Sequence, residues 1–194
     1  TTVTSSNLEN YYFLYGGKTG TVDGQQNLLC VCLGPDDRLF VVVILGAIDN
    51  RFTCARQAMD EAVKKYNDPT YNGPTSAVNA GAAAVALLPL GNTKGYVSKN
   101  IDLLYAKDVY SSRTPASITK VMTSICMLDF VYDINTKFTI KTLDITSGSG
   151  PTLNNGDIMT YKEGLHAMLL PSSNTTAEAV ATSVGHIMYS YDNK

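Results

Sequence analysis

Two runs rich in Leu, Val, Ile and Phe flank a turn sequence in the first quarter of the chain. Residues 27–33 and 39–45 form these runs, and residues 34–37 between them read G-P-D-D. Glycine, proline and aspartate favour tight turns, so the pattern predicts a β-hairpin. Residues 18–22 predict a further extended segment ahead of it.

An amphipathic helix is predicted directly after these strands. Apolar side chains recur at helical spacing between residues 52 and 66, and charged side chains fall largely between them. Asp49 and Asn50 are the candidate N-caps. Residues 67–76 then contain two prolines, a glycine and small polar side chains, which indicates a linker.

The second half of the chain predicts two strands and then a central helix. Residues 82–90 indicate a buried strand, although their alanine content leaves a helix open, and residues 102–106 indicate a second strand. Pro115 stands just ahead of a strongly apolar helix at residues 117–131. We expect that helix to be buried on most sides.

Two capping boxes predict the last helices. Residues 160–163 read T-Y-K-E and open a helix that Pro171 ends, whereas residues 175–178 read T-T-A-E and open a helix that reaches about Gly185. The string S-S-N at residues 172–174 lies in the break between them. Side chains on such a loop can project into a cleft.

The composition predicts one compact globular domain. Of the 194 residues, 44% are hydrophobic and 16% are charged, which is enough for a substantial core. The formal net charge of −2 and the lack of a dense basic block favour neither a nucleic acid nor an anionic membrane as partner. The longest apolar runs, residues 39–47 and 80–90, are too short to span a bilayer. The opening residues lack a signal-peptide pattern, so we expect any exported form to be trimmed.

Four cysteines and two histidines are spaced unlike a zinc site. Cys30 and Cys32 would share one face of a strand and are poorly placed to bond each other. We expect the cysteines to be buried as small apolar side chains, with a bridge to Cys54 or Cys126 left open. No metal and no cofactor are expected.

Three short motifs carry residues of catalytic type. They are S-I-T-K at residues 117–120, S-S-N at 172–174 and K-T-G at 18–20. Each is weak alone, since S-x-x-K is common in any chain and S-x-N recurs at residues 5–7. Their settings are the stronger signal, because the motifs fall at a helix start, in a break between helices and at a strand start.

The S-x-x-K spacing predicts an activated serine. Ser117 and Lys120 would share one helix face, where a neutral lysine can take the proton of the serine hydroxyl. That role needs a lysine pKa lowered by burial and by a neighbouring cation, which Lys18 would supply. The positive end of the helix dipole favours an oxyanion at Ser117.

The sequence around the three motifs resembles one enzyme family. Residues 113–123, 156–174 and 16–21 are similar to D-alanyl-D-alanine carboxypeptidases, the low-molecular-mass penicillin-binding proteins. In such enzymes the motif order is S-x-x-K, S-x-N, K-T-G, but here K-T-G comes first. The resemblance covers nearly the whole chain in two exchanged blocks.

The exchanged blocks imply a circular permutation. Residues 1–66 resemble the family's C-terminal part, residues 80–194 resemble its N-terminal part, and residues 67–79 would join them within one catalytic domain. Permutation is tolerated where chain ends lie close together. The implied fold is α+β and β-lactamase/transpeptidase-like. It has an antiparallel sheet flanked by terminal helices, a helical lobe, and the catalytic serine at the start of a buried helix between them.

The resemblance also implies a role for each motif residue. Ser117 would be the nucleophile, Lys120 its general base, and Ser172 a proton relay. The backbone N–H groups of Ser117 and Thr21 would form the oxyanion hole, and Lys18 and Thr19 would bind the substrate carboxylate. The residues implied in substrate binding are Asn174, Lys18, Thr19, Gly20 and Thr21.

The implied reaction is acyl transfer at the outside of a cell. Ser117 would attack the penultimate D-alanine carbonyl of a peptidoglycan stem peptide, D-alanine would leave, and water would hydrolyse the acyl-enzyme. A β-lactam would acylate the same serine. The implied partners are therefore stem peptides and β-lactams, and the implied location is extracytoplasmic.

One departure from the family keeps two alternatives open. The several tens of residues that the family carries between S-x-N and K-T-G would fall between Lys194 and Thr1, so either a longer protein holds them or the helical lobe is reduced. The alternatives are a β-lactamase, with Glu163 or Glu178 activating water, and an inactive scaffold that binds D-Ala-D-Ala or β-lactams.

Overall fold

The computed structural model describes residues 12–48, 50–74, 78–89 and 102–192. Residues 1–4, whose alternating side chains predict a short strand, lie outside the described residues. The chain divides into two compact units, with the division between Ile118 and Thr119. We call them the sheet unit and the helical unit. The α+β class predicted from the sequence is confirmed at this coarse level.

The sheet unit contains a five-stranded antiparallel sheet whose spatial order follows the chain order. Its strands are β1 (Phe13–Val22), β2 (Gln25–Leu33), β3 (Leu39–Ala47), β4 (Ala80–Leu87) and β5 (Asp102–Lys107). One helix, α1 (Arg51–Asn67), packs against β2 to β5. The core between sheet and helix includes the fully buried side chains of Leu28, Phe40, Ile44, Met59 and Val85.

Both turns that join the first three strands have special backbone conformations. Asp23 and Gly24 join β1 to β2 with φ values of 49° and 75°, as a two-residue hairpin turn of type I′ requires. The predicted hairpin of β2 and β3 is confirmed, and its turn contains the short helical segment Pro35–Asp37. Aspartate tolerates the left-handed conformation at these positions better than most residues do.

Asn50 is the N-cap of α1, as predicted. Its side chain accepts hydrogen bonds from the backbone N of Phe52 at 2.8 Å and of Thr53 at 3.2 Å. Asp49, the other candidate, lies outside the described residues. The cap satisfies two of the backbone donors that a helix start leaves without partners.

The two sequence blocks share one sheet. β3 pairs with β4 in antiparallel register from Phe40 with Leu87 to Ala47 with Ala80, which settles residues 80–87 as strand rather than helix. α1 contacts both β4 and β5. The segment directly after α1 is hydrogen-bonded to that helix, because Lys65 Nζ donates to the backbone O of Tyr71 at 2.8 Å.

The four cysteines are free thiols. Cys30 and Cys32 share the buried face of β2, and their sulfurs lie 3.8 Å apart. The hydrogen bond with Cys32, together with burial, raises the pKa of the Cys30 thiol. Cys54 is buried in the same core, but Cys126 is exposed, so the prediction of burial is wrong for Cys126.

The helical unit contains three helices and a small hairpin among its described residues. The elements are α2 (Thr119–Phe130), β6 (Lys137–Thr139), β7 (Ile158–Thr160), α3 (Tyr161–Leu169) and α4 (Asn174–Asp192). The two strands pair antiparallel. The fully buried side chains of Met127, Ile140, Met168 and Val180 form the centre of its core.

The prediction that α2 is buried on most sides is wrong. Met122, Ile125 and Leu128 are 61%, 47% and 53% exposed. Lys120, Ser124 and Met127, which are spaced to share one face, are the buried residues of the helix. An apolar helix is buried all round only where other elements cover each face, and sequence apolarity cannot report those neighbours.

The two predicted helix starts have different outcomes. The capping box of α3 is confirmed, with Thr160 Oγ1 accepting from Glu163 N at 3.1 Å and Glu163 Oε2 accepting from Thr160 N at 2.7 Å. The second box is wrong, because Ser173 Oγ accepts from the backbone N of Thr176 at 3.1 Å instead. The hydroxyl of Thr175 is engaged elsewhere, donating to the backbone O of Thr146.

α4 also runs past the predicted end. It continues through Gly185 to Asp192. Glycine weakens a helix interior by about 1 kcal/mol but does not by itself end a helix that packs on a core. A search of the described residues finds no helix long and apolar enough to cross a membrane.

Candidate functional site

The K-T-G motif lies on β1, one of the two outermost strands in the order of the described sheet. Lys18 pairs in register with Leu29 of β2, and Gly20 pairs with Asn27. The Lys18 side chain is only 5% exposed, and its Nζ donates to the backbone O of Thr19 at 2.8 Å. The strand therefore carries a buried lysine side chain.

Gly20 brings β1 against the backbone of Ser117. A Cβ atom at Gly20 would lie 3.0 Å from the backbone N of Ser117 and 2.8 Å from the backbone O of Pro115. Neither backbone atom can give way easily, so a side chain at this position would push the two segments apart. The predicted nucleophile and the K-T-G strand are thus brought together within the sheet unit.

Arg51, which the sequence analysis did not single out, fixes the end of this strand. As the first residue of α1, it donates from Nη1 to the backbone O of Gly20 at 2.7 Å and of Asn27 at 3.0 Å. Its Nη2 donates to Thr21 Oγ1 at 2.8 Å. Burial lowers the pKa of Arg51. A cation in the first turn of a helix is unfavourable because it opposes the helix dipole. The position of Arg51 in the sequence could therefore have indicated that it has a role outside the helix.

The segment before Ser117 is held in an unusual conformation. The buried Asn27 side chain donates from Nδ2 to the backbone O of Thr114 at 3.0 Å and accepts from the backbone N of Gly46 at 2.7 Å. Ala116 has a φ of 51°, which is in the left-handed region. Such strain in a non-glycine residue costs roughly 1–3 kcal/mol and clusters at functional sites.

Lys120 lies in the helical unit and is 7% exposed. Its Nζ donates to Oδ1 of Asn174 at 2.7 Å, which brings two predicted site residues together. Burial lowers the pKa of Lys120, because taking an ammonium out of water disfavours the charged form. The neutral amine that a general base needs is therefore more populated than in an exposed lysine.

Asn174 is oriented by a glycine-containing loop that the sequence analysis did not single out. Its Nδ2 donates to the backbone O of Ser147 at 3.0 Å, and its backbone N donates to the backbone O of Ser149 at 2.9 Å. Gly148 has a φ of 122°, and a Cβ there would overlap Asn174 Nδ2. The sequence S-G-S-G at residues 147–150 has the composition of a flexible linker, so the sequence alone does not indicate that this loop orients Asn174.

Ser172 lies between α3 and α4, as the sequence predicted. It is half-buried, and its φ of 63° is again in the left-handed region. The next residue, Ser173, is fully buried and caps α4. The S-x-N loop thus consists of a strained serine, a helix cap and the asparagine that contacts Lys120.

Glu163 and Glu178, the carboxylates considered as water activators, have ordinary settings. Glu163 Oε2 accepts from Thr160 N at 2.7 Å and from Thr160 Oγ1 at 2.9 Å, and these hydrogen bonds hold the pKa of Glu163 below its usual range. Glu178 is exposed on α4. Glu163 therefore serves the cap of α3.

No family model and no curated protein matches this chain.

The sheet unit holds a serine whose backbone N–H adjoins the K-T-G strand, and the helical unit holds a buried lysine paired with an amide. Within the part of the chain that the structure describes, no group of three His, Cys, Asp or Glu side chains is arranged to hold a metal ion. Serine, lysine and amide side chains are of the types that supply a nucleophile, a base and amide binding in acyl transfer.

Proposed function

We propose that this protein is a serine-type D-Ala-D-Ala carboxypeptidase that removes the terminal D-alanine from peptidoglycan stem peptides. The proposal includes a DD-peptidase/β-lactamase-like fold in circularly permuted order and an extracytoplasmic location. It also includes acylation of the same serine by β-lactams. The proposed reaction uses no cofactor.

Acylation begins with proton transfer from Ser117 to neutral Lys120, three residues further along the chain. The serine oxygen then attacks the penultimate D-alanine carbonyl to form an ester, and the proton passes to the departing amine of D-alanine. Ser172 takes part as a proton relay, and Asn174 holds a substrate amide. Water then hydrolyses the ester and restores the Ser117 hydroxyl. The lowered pKa of Lys120 supports the first step.

Backbone donors and a cation stabilise the charges of the reaction. The N–H groups of Ser117 and Thr21 bind the developing oxyanion, while Lys18 and Thr19 bind the terminal carboxylate of the substrate. Removing one oxyanion donor in other acyl-transfer enzymes costs about 10²- to 10³-fold in rate. The burial of Lys18 supports its role, because a charge interaction gains strength away from water.

The approach of Gly20 to the backbone N of Ser117 is the observation that most supports the proposal. A chance K-T-G string would have no reason to adjoin the start of a chance S-x-x-K string. The permuted order is supported by the pairing of β3 with β4 and by the packing of α1 on β4 and β5. These contacts fit two blocks that were joined near residues 67–79.

Two other functions remain as alternatives with distinct expectations. A β-lactamase needs a device for rapid deacylation, and the engagement of Glu163 in the α3 cap weakens one such candidate. An inactive scaffold would keep the binding groups without turnover. A reduced helical lobe would leave apolar side chains of α2 exposed, and the exposed side chains of that helix are the observation that favours this alternative.

D-alanine release tests the proposal directly. Wild-type protein should release D-alanine from an acylated peptide ending in D-Ala-D-Ala, and Ser117→Ala should not. The Ser111→Ala variant is the matched control, because Ser111 follows β5 and has no assigned role. Penicillin labelling without D-alanine release would favour the scaffold. Rapid penicillin hydrolysis without peptide cleavage would favour the β-lactamase.

A further inference from the structure

Two thiols lie in contact inside strand β2, next to the strand that carries K-T-G. Cys30 and Cys32 are 1% and 0% exposed, and their sulfurs are 3.8 Å apart. Among the described residues, no third side chain of a metal-binding type joins them to make a metal site. Two neighbouring thiols without a metal can instead be oxidised to a disulfide.

The hydrogen bond between the two thiols sets which one reacts first. It lowers the pKa of the Cys32 thiol. The same contact, together with burial, raises the pKa of Cys30. Because the thiolate is the form that attacks an oxidant, Cys32 is the expected nucleophile and Cys30 the thiol that completes the disulfide.

Strand β2 has to shorten for the disulfide to form. Residues two apart on an extended strand have Cα atoms about 6.6 Å apart, which is near the upper end of the roughly 4.4–6.8 Å that disulfides span. The bond therefore draws the strand together at Val31 and stores strain. Strained disulfides are the more easily reduced ones, as a reversible modification requires.

The pair of thiols is packed directly against the K-T-G strand. Cys30 pairs in register with Gly17, and a Cβ at Gly17 would lie 2.8 Å from the Cβ of Cys30. Gly17 directly precedes Lys18. A displacement of β2 at Cys30 is therefore passed to the backbone beside Lys18.

The pairing of β1 with β2 is irregular at this level of the sheet. Its register shifts between Leu14 and Gly16, so Tyr15 is an extra residue on β1. The pairing of β2 with β3 runs without a shift from Leu28 to Leu33. A shortened β2 should therefore loosen β1 before it loosens β3.

A small oxidant reaches the two thiols when β1 opens. Both thiols are buried, but β1 is one of the two outermost strands of the described sheet. Local opening of an outer element takes less free energy than unfolding of the whole domain. Oxidation should therefore be slow but should proceed in the folded protein.

We propose that Cys30 and Cys32 are a redox modification site, at which a peroxide converts the two thiols to a disulfide that weakens the pairing of β1 with β2. The Cys32 thiolate attacks a peroxide oxygen and the O–O bond breaks, which gives a sulfenic acid and a hydroxide that takes up the proton released by Cys32. The Cys30 sulfur then forms the S–S bond while the S–O bond breaks, and the hydroxide leaves as water with the Cys30 proton. Two electrons pass from the sulfurs to the peroxide. The modification does not depend on the proposed peptidase activity.

Peptide mapping of the oxidised protein tests for the disulfide. The full chain carries Cys126→Ser, because the exposed Cys126 thiol can join two molecules. After treatment with hydrogen peroxide, the remaining thiols are alkylated in denaturant and the protein is digested with trypsin. Cleavage after lysine and arginine places Cys30 and Cys32 together in residues 19–38 and places Cys54 in residues 52–56.

The peptide of residues 19–38 should be two hydrogens lighter than its reduced form and should carry no alkyl group. A dithiol reductant should make both of its cysteines available for alkylation again, while Cys54 should be alkylated throughout. Hydrogen–deuterium exchange of the backbone amides of β1 should be at least about tenfold faster after oxidation, because disulfide strain favours opening. Exchange in β4 should be unchanged.

Two matched variants assign the effect to this pair of thiols. Cys32→Ala treated with peroxide should show neither the lighter peptide nor the faster exchange, whereas Cys54→Ala should show both. The main comparison, with and without peroxide, keeps all three buried cysteines, so it holds even where a variant fails to fold.

Alkylation of both Cys30 and Cys32 after peroxide treatment of the folded protein would overturn the proposal. So would a disulfide that forms only in urea, or oxygen added to the sulfurs without a bond between them. A disulfide that leaves exchange in β1 unchanged would overturn the link to strand pairing. Penicillin labelling and D-alanine release are not among these measurements, so a failure of the proposed function is read separately.

Discussion

Nζ of Lys120 donates a 2.7 Å hydrogen bond to Oδ1 of Asn174. The amide is oriented for this contact, because its Nδ2 donates to the backbone O of Ser147. A neutral acceptor positions the lysine without adding a negative charge that would hold it protonated. The contact is thus compatible with a lysine that acts as a base.

The acylation rate should rise with pH through a pKa below the ordinary lysine value. Burial lowers the pKa of Lys120, and only its neutral form can accept the Ser117 proton. The rate of reaction with a β-lactam, measured by stopped-flow kinetics across the pH range, should reach its plateau at a pH below the one at which an exposed lysine titrates. A rate that keeps rising through the pH range in which an ordinary lysine titrates would contradict a lowered pKa for Lys120.

Asn174→Asp should shift that profile to higher pH. A carboxylate next to Lys120 favours the ammonium form and raises the lysine pKa, and each pKa unit lowers the neutral fraction about tenfold at neutral pH. Asn154→Asp, an exposed change in the loop before β7, is the matched control. An unshifted profile in Asn174→Asp would show that this amide does not face the base in solution.

Gly20→Ala should slow acylation about 100-fold, because misplacing a reacting group by about 1 Å has an effect of that size. The added Cβ would press on the backbone of Pro115 and Ser117. Gly16→Ala is a control on the same strand, since a Cβ at Gly16 has nothing within 4 Å. Both variants are compared by penicillin acylation rate and by thermal melting. Full activity in a folded Gly20→Ala protein would rule out the close approach.

Glu61→Gln should destabilise the fold by about 1 kcal/mol at neutral pH. Burial opposes ionisation of this 8% exposed carboxyl, but hydrogen bonds from Lys64 and Tyr71 outweigh it and hold its pKa below the usual range. A depressed pKa stabilises the fold above the unfolded-state pKa, and that stabilisation is lost as pH falls through the folded-state value. Urea unfolding should therefore separate the wild type from the variant at pH 7 but not in strong acid. Glu178→Gln serves as the exposed control.

Local patterns predicted the elements whose signals lie within a few residues. The hairpin of β2 and β3, the Asn50 cap and the Thr160 capping box depend on neighbours in sequence, and each is found. A strand was predicted near β4 with a helix left open, and the strand is confirmed. Such features need no knowledge of distant parts of the chain.

Features that depend on distant partners were missed. The Thr175 box failed because Thr146 engages its hydroxyl, and the exposure of Met122 could not be read from an apolar helix sequence. The candidate site residues were predicted from their motifs, but the residues that support them were not. Arg51 and the loop at residues 147–150 act through backbone groups, and the only sequence signal was the position of Arg51 as a cation in the first turn of a helix.

Covalent labelling by a reporter penicillin tests the central claim most directly. Wild-type protein should form one stable adduct, and peptide mapping by mass spectrometry should locate it at Ser117. Ser117→Ala should remain unlabelled, while the Ser111→Ala control should label as the wild type does. A folded wild-type protein that takes no label, or that takes it at another residue, would contradict the assignment of Ser117 as the nucleophile.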